Sequence, residues 1–133
     1  MSAGNALQAA IYAKLTASAP LMALVSGVFD SVPQDYADFP YVTIGEDTLA
    51  EWDGDDFTGE ECTVTIHVWS RADGRKETKI AQGYIHDALH RQTLLVSGYN
   101  SVDCVREFSD TLLDPDGHTR HGVQQFRVTI ERL

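Results

Sequence analysis

The densest group of chemically capable side chains is a set of carboxylates, Asp53, Asp55 and Asp56, within one short acidic stretch. Carboxylate oxygens are the ligands that Ca²⁺ prefers, and a calcium loop collects several of them in one tight turn. An EF-hand loop that starts at Asp53 needs glycine at its sixth position and glutamate at its twelfth, where this chain has Thr58 and Val64. The spacing therefore predicts a solvated acidic segment and no calcium site.

Four of the five histidines form two pairs that could share a metal ion. His86 and His90 are four residues apart on a predicted helix, and His118 and His121 flank a predicted turn. Protein zinc sites usually take three or four side-chain ligands, and neither pair has a third ligand close in sequence. We therefore predict polar surface at both pairs, and we expect His67 to be a strand residue that faces a neighbour.

Motifs of enzymatic chemistry are missing from the sequence. It has no GxSxG, HExxH, P-loop or GxGxxG motif, and its two cysteines, Cys62 and Cys104, form no CxxC pair. Both cysteines fall in strand-like segments and are predicted to be buried, reduced thiols. We predict a protein that is not an enzyme, with no catalytic residue, no metal and no cofactor.

These residues lie on elements that hydrophobic periodicity predicts. Apolar residues recur every four positions over residues 5–16, which indicates an amphipathic helix with Asn5 as its N-cap. A short helix at 20–25 and a brief strand at 28–29 are expected next. Residues 77–89 show helical spacing again, with polar residues on the other side. Both longer helices are predicted to turn one apolar face to a core.

Strands are predicted where apolar and polar residues alternate or β-branched residues cluster, at 39–45, 62–69, 102–108 and 123–130. A turn signal, Asp-Pro-Asp-Gly at 114–117, separates the last two. The order of elements predicts an α+β fold in a single domain, residues 1–133. We expect an antiparallel or mixed β-sheet with two main α-helices packed on one face.

Residues 46–61, between the first two long strands, hold eight acids and the apolar pair Trp52 and Phe57. The segment is too polar for the core and long for a hairpin turn, so we predict a projecting acidic loop or a long flexible hairpin tip. Aromatic side chains in a polar loop are typical of binding surfaces. The alternative is that both rings fold back onto their own sheet.

The charge of the chain excludes some classes of partner. Twenty acids against ten basic residues give a formal charge of −10. The segment between Lys14 and Arg71 holds eleven acids and no Lys or Arg. Such a balance argues against binding nucleic acid by neutralising phosphates. The sequence has no signal peptide and no long apolar run, so we expect no membrane partner and synthesis in the cytoplasm.

Several segments together resemble the tail-completion family of long-tailed phages, whose members are also called tail terminators or tail-to-head joining proteins. They are residues 40–46, 64–71 (VTIHVWSR), 80–89 and 114–128 (DPDGHTRHGVQQFRV). The segments occur in the family's order, and the resemblance extends from Leu7 to Glu131.

The resemblance implies a structural virion protein that forms a homohexameric ring on the head-proximal end of the tail tube. Such a ring stops polymerisation of the tail tube protein and joins the tube to the head-to-tail connector protein. DNA would pass through the ring channel without specific binding. Related proteins occur in gene transfer agents and in defective phage-derived particles. The family has no catalytic residues to carry over.

Residues expected at interaction surfaces fall in the acidic segment and in the matched motifs. Arg71, Arg120 and His121 are expected to bridge subunits. The acids are expected either to face the channel, where they would repel the DNA backbone, or to face a basic patch on a neighbouring ring or tube. The predicted interaction residues are Glu51, Trp52, Asp53, Asp55, Asp56, Phe57, Arg71, Arg120 and His121.

Two other functions stay open at this point. One is a head-side connector or adaptor ring with twelve-fold symmetry. The other, from a different class, is a small bacterial ligand-binding or hydrolytic domain that uses His118, His121 and nearby acids.

Overall fold

The structure is a computed structural model, and it describes residues 2–133 as three helices and five strands. Their order is α1 (Ala3–Thr16), α2 (Ala19–Leu24), β1 (Val28–Phe29), β2 (Tyr41–Glu51), β3 (Gly59–Ser70), α3 (Lys76–Leu89), β4 (Tyr99–Leu113) and β5 (Arg120–Arg132). The strands form one sheet in the order β1-β2-β3-β5-β4. The short β1 pairs in parallel with β2, and the other pairings are antiparallel. The predicted α+β class with a mixed sheet is confirmed.

One face of the sheet carries the core, because side chains of a strand alternate between its two faces. The buried residues of the two central strands are mainly Cys62, Val64, Ile66, Val68, Phe126, Val128 and Ile130. Apolar side chains of α1 and α3, including Ile11 and Ile85, belong to the same buried cluster. We call this the helix face and the opposite one the outer face.

Helix α1 confirms the first predicted helix and buries its apolar stripe. The predicted N-cap was wrong, because the helix begins at Ala3 and Ser2 is the capping residue. Ser2 Oγ accepts a hydrogen bond from Asn5 N at 3.2 Å, which satisfies one of the free N–H groups of the first turn. Alanine at the first helical position favours this earlier start.

Helix α3 confirms the second long helix and packs closely on β5 at Gly122. A Cβ atom there would lie 2.7 Å from both Thr78 Cγ2 and Gln82 Nε2, so the absence of a side chain permits the approach. Two glutamines then tie the helix to the sheet. Gln124 Nε2 donates to the Gln82 carbonyl at 3.1 Å, and Gln82 Nε2 donates to the Asp110 carbonyl at 2.9 Å.

Of the two predictions for residues 46–61, the projecting loop was wrong, and the structure shows a long hairpin. Residues 46–51 continue β2 and residues 59–61 begin β3, so the irregular connection covers only 52–58. The strand conformation of residues 46–51 comes from pairing with β3, which β5 supports on its other side. A regular strand therefore carries polar side chains in solvent. We call residues 46–61 the acidic arm.

A β-bulge separates the acidic arm from the first half of β2. Ile44 pairs with Ile66 and Asp47 pairs with Val64, so residues 45–46 lie opposite a single residue of β3. Before the bulge the side chains of β2 are alternately buried, whereas every β2 residue from position 46 onward is exposed. In β2, the residues of the acidic arm belong to the sheet but contribute nothing to the core.

The last two strands extend beyond their predicted bounds, and the turn between them is confirmed, with Gly117 N donating to the Asp114 carbonyl at 2.9 Å. Cys62 and Cys104 are buried and free, as predicted. Within residues 2–133, no helix has the length and apolar character needed to cross a membrane.

Candidate functional site

The tip of the acidic arm is a closed turn that its own residues hold in place. Trp52 and Phe57 contact each other with ring centroids 4.9 Å apart. Gly59 N donates to Asp53 Oδ1 at 3.0 Å, and Gly54 N donates to the Phe57 carbonyl at 3.0 Å. The two rings thus contact each other within the turn, and their part in a partner contact stays a prediction.

The carboxylates of the acidic arm are left for solvent or for a partner. Asp55 and Asp56 are exposed at the tip, and Glu51 is exposed on β2. Among residues 2–133, no Lys or Arg forms an ion pair with an acid of the arm, and the one charged contact of the arm is Glu46 with His67. The arm is therefore a concentrated, uncompensated negative charge.

The opposite end of the outer face carries a stack of three rings that we call the ring cluster: His67, Trp69 and His121. Trp69 and His121 stack with centroids 3.9 Å apart at an interplanar angle of 10°. His67 Nδ1 lies 2.6 Å from His121 Nε2, which is a hydrogen bond with one imidazole as donor. Trp69 Nε1 donates to Thr43 Oγ1 at 3.1 Å. The four side chains tie three strands together.

The electrostatics of the ring cluster favour a neutral imidazole at His121. Burial lowers the pKa of His121, and the neighbouring His67 lowers it further. Glu46 lies 3.3 Å from His67 Nε2 and is largely exposed. Gly45 makes this arrangement possible, because a Cβ atom at that position would lie 2.6 Å from His67 Nε2.

The two arginines of the predicted interaction set flank the ring cluster. Arg71 Nε donates to Thr119 Oγ1 at 3.1 Å, and its guanidinium lies 4.4 Å from the centroid of Phe39. The Nε atom of Arg120 is buried and, within residues 2–133, has no hydrogen-bond partner. An unpaired buried donor costs free energy, so a hydrogen-bond acceptor supplied to Arg120 Nε would be stabilising.

The turn beside these arginines is fixed by one carboxylate. Asp116 accepts hydrogen bonds from Thr119 Oγ1, Thr119 N and His118 N, and these bonds hold the pKa of its carboxyl well below its usual range. His118 is thus directed to Asp116 and not to His121. The other predicted pair, His86 and His90, does come together, because the two rings stack with centroids 4.5 Å apart.

The predicted interaction residues therefore form two groups at opposite ends of the sheet. Glu51, Trp52, Asp53, Asp55, Asp56 and Phe57 belong to the acidic arm, whereas His121 is part of the ring cluster and Arg71 and Arg120 lie at the same end of the sheet. Sequence reasoning missed that His67 and Trp69 join His121. This cluster follows from the cross-strand register, in which Trp69 pairs directly with His121. A single sequence does not reveal that register. Among the described residues, no three His, Cys, Asp or Glu side chains converge as metal ligands.

Comparisons with known proteins identify the family of this chain. A family model described as "Tail completion protein gp17" matches residues 9–131. The tail completion protein gp17 of Bacillus phage SPP1 is 31% identical over 128 residues, which cover 96% of this chain and 94% of that protein. The chain belongs to the tail completion protein gp17 family. The resemblance inferred from the sequence is confirmed.

Solved structures of similar proteins show the same fold. A chain in the virion of a native gene transfer agent particle is 29% identical, with a TM-score of 0.90 over 98% of each chain. The structure of bacteriophage SPP1 gp17 is also 29% identical, with a TM-score of 0.64 over 94% of this chain and 88% of that one. Members of this tail completion family are structural components of phage-type particles.

Proposed function

We propose that this protein is a tail terminator: a homohexameric ring that caps the head-proximal end of a tail tube, stops its polymerisation and joins it to a head-to-tail connector protein. The observation that carries the proposal is the match to a chain of an assembled gene transfer agent particle over 98% of both chains. The protein would therefore work by assembly and docking, without catalysis or a cofactor.

The physical character of the surface supports assembly as the mode of action. The surface offers exposed strand edges and uncompensated negative charge for contact with other chains. The histidines, by contrast, stack with one another and form local hydrogen bonds. Free strand edges favour association with another strand, and a head-to-tail contact between copies closes into a ring when the rotation between them permits.

The tip of the acidic arm is the surface that we propose for docking to the tail tube or for repelling the DNA in the channel. Its two exposed aspartates, Asp55 and Asp56, lie on a turn that Trp52 and Phe57 hold. A rigid tip presents its charge at a fixed place, which favours specific recognition and lowers the entropy cost of binding. Loss of tube capping on charge reversal would support docking, and slowed DNA delivery from normal particles would support repulsion.

The experiment that tests the proposed function is native mass spectrometry of the purified protein, alone and with its tail tube protein, followed by electron microscopy of the tube ends. We expect a hexamer, or a monomer that becomes a six-fold cap on tube ends and halts their growth. Twelve-fold rings that ignore tubes would instead assign the protein to the head-side connector. A monomer that leaves tube growth unchanged would contradict both assignments.

A further inference from the structure

Strand β4 leaves a free edge over its second half. Arg106 N donates to His90 Nδ1 at 3.1 Å, so this residue turns its backbone away from β5, while Asp114 N donates to the Thr119 carbonyl at the turn. Because antiparallel pairing alternates, and because a bulge follows Arg106, the backbone groups of residues 109, 111 and 113 also point outward. Among the described residues, the partner that these groups find is the Asp110 side chain, which accepts from Thr111 N.

Strand β2 leaves a matching free edge on the other side of the sheet. Trp52 N donates to the Gly59 carbonyl at 3.0 Å, and the same alternation then turns the backbone groups of Asp47, Leu49 and Glu51 away from β3. Strand β1 covers β2 only at residues 42–43. Each edge thus offers three residues at a period of two.

The side chains along these two edges differ in charge. A groove of about 410 Å³ beside β4 is lined by two bases, Lys79 and Arg106, and by two acids, Asp87 and Asp110. Lys79 and Arg106 form no ion pair within residues 2–133, so both are free to meet a carboxylate of another copy. The groove lies on the helix face. Asp47 and Glu51 lie on that same face of β2, because they pair with Val64 and Glu60 of β3. Gly83 on α3 also lines the groove, and a Cβ atom there would meet nothing within 4 Å.

We propose that the acidic arm of one copy adds as an antiparallel strand to the β4 edge of the next copy, with Leu49 opposite Thr111. This inference rests on the proposed function, and it assigns the subunit contact of the ring. The register places Glu51 beside Ser109, next to Arg106, and Asp47 beside Leu113, on the side of Lys79. It also covers Leu49 and Leu113, which are half-exposed in the single chain.

The charges favour this head-to-tail pairing over the symmetric alternative. Two β2 edges paired with each other around Leu49 would place Asp47 of one copy directly opposite Glu51 of the other, and like charges directly opposite destabilise a strand pair. The β4 edge has no acid among residues 109, 111 and 113. A contact between different edges is heterologous, and this is the kind that builds rings.

Disulfide trapping tests the proposed register. Within one copy, Leu49→Cys and Thr111→Cys lie on opposite edges of the sheet, about 14 Å apart across three strand spacings and roughly a further 20 Å apart along the strands, so a disulfide forms only between copies. The native thiols give little background, because burial raises the pKa of Cys62 to about 11 and that of Cys104 to about 12. On oxidation with tail tubes present, we expect a covalent ladder that ends at the closed ring.

The matched control is Ala50→Cys with Thr111→Cys. Ala50 is one residue along the same strand, so its side chain lies on the outer face and cannot meet Thr111. Rings that form on tube ends without a ladder from the Leu49 pair, or an equal ladder from both pairs, would overturn the edge pairing and leave the terminator function standing. Absence of any ring from the unmodified protein would instead overturn the proposed function.

Charge exchange gives a second, independent test. Glu51→Lys is expected to weaken association at each interface about two- to fivefold, which is the range of exposed ion pairs, and the effect multiplies over a closed ring. Combining it with Arg106→Glu restores the pair in reversed order and should recover ring formation. Failure of the double variant to recover, with both single variants folded by circular dichroism, would contradict the contact between these residues.

Discussion

The ring cluster and the acidic arm lie toward opposite ends of the same strands and differ in how their polar groups are satisfied. In the ring cluster, Trp69, His67 and His121 stack and hydrogen-bond with one another. In the acidic arm, the carboxylates have no cationic Lys or Arg partner among residues 2–133. One end of the sheet therefore stabilises the single chain, and the other is left to be completed by a partner.

This difference separates folding from assembly. Substitutions near the ring cluster should lower the free energy of unfolding of the single chain, because its contacts are all internal. Substitutions of the exposed carboxylates of the acidic arm should leave that free energy nearly unchanged and alter association instead. Four experiments test this contrast.

The largest effect is expected where α3 meets the strand that carries His121. Gly122→Val would insert atoms into space that Thr78 and Gln82 occupy, and we expect a loss of about 3 kcal/mol or a failure to fold. Gly83→Ala is the matched control on the same helix, because a Cβ there meets nothing within 4 Å. It should stabilise by about 0.5–1 kcal/mol, since alanine is the better helix former. Urea denaturation followed by circular dichroism measures both.

The next effect compares the two tryptophans. Trp69→Ala removes the stack on His121 and the hydrogen bond to Thr43 and should cost about 2–3 kcal/mol. Trp52→Ala, at the tip of the acidic arm, removes one aromatic contact with Phe57 and should cost about 1 kcal/mol. Equal losses at the two positions would contradict the contrast between the ends.

The third effect is a pH dependence of stability to which His121 of the ring cluster contributes, as does His90 at the C-cap of α3, whose pKa desolvation also lowers. The pKa of His121 is lower in the folded chain than in the unfolded chain, so below about pH 6.5 the unfolded state binds more protons. Stability should therefore be full at pH 7.5 and fall as the pH decreases through the unfolded value. His121→Gln should flatten this part of the profile, and His118→Gln at the exposed turn should not. Thermal melts between pH 7.5 and 5 provide the measurement.

The smallest effect on stability is expected from the charges at the tip. Asp55→Lys with Asp56→Lys should change the free energy of unfolding by no more than about 0.5 kcal/mol, because both side chains are exposed and bear no structural bond. Asp53 is left unchanged because it accepts from Gly59 N. The same variant should lose tube capping if the tip docks to the tube. A large loss of stability would show that the tip also supports the fold.

Much of the fold follows from the sequence, because periodicity reports burial. The alternation of Val64, Ile66 and Val68 gave β3 directly, and the four-residue spacing of Leu7, Ile11 and Leu15 gave α1. The strand residues at 46–51 of the acidic arm were not predicted as strand, because they are exposed on both faces and show no alternation of apolar and polar residues. Their strand conformation comes from pairing with β3, which is a long-range interaction.

The candidate site was predictable only in part for the same reason. Composition alone marks the acidic arm, since eight acids fall within sixteen residues. The ring cluster depends on Trp69 of β3 lying directly opposite His121 of β5, more than fifty residues away in sequence. That register is set by the packing of the helix face, so the partners of His121 become visible only in three dimensions.

The bulge in β2 has a consequence for how such proteins diversify. It divides one strand into a part that supplies core residues, Val42 and Ile44, and a part that supplies none. Substitutions at residues 46–51 therefore remove no core contact, and their main effect falls on the fit to partners. We therefore expect that replacing the acidic arm, residues 46–61, with the corresponding segment of a relative would transfer partner choice without changing the core of the domain.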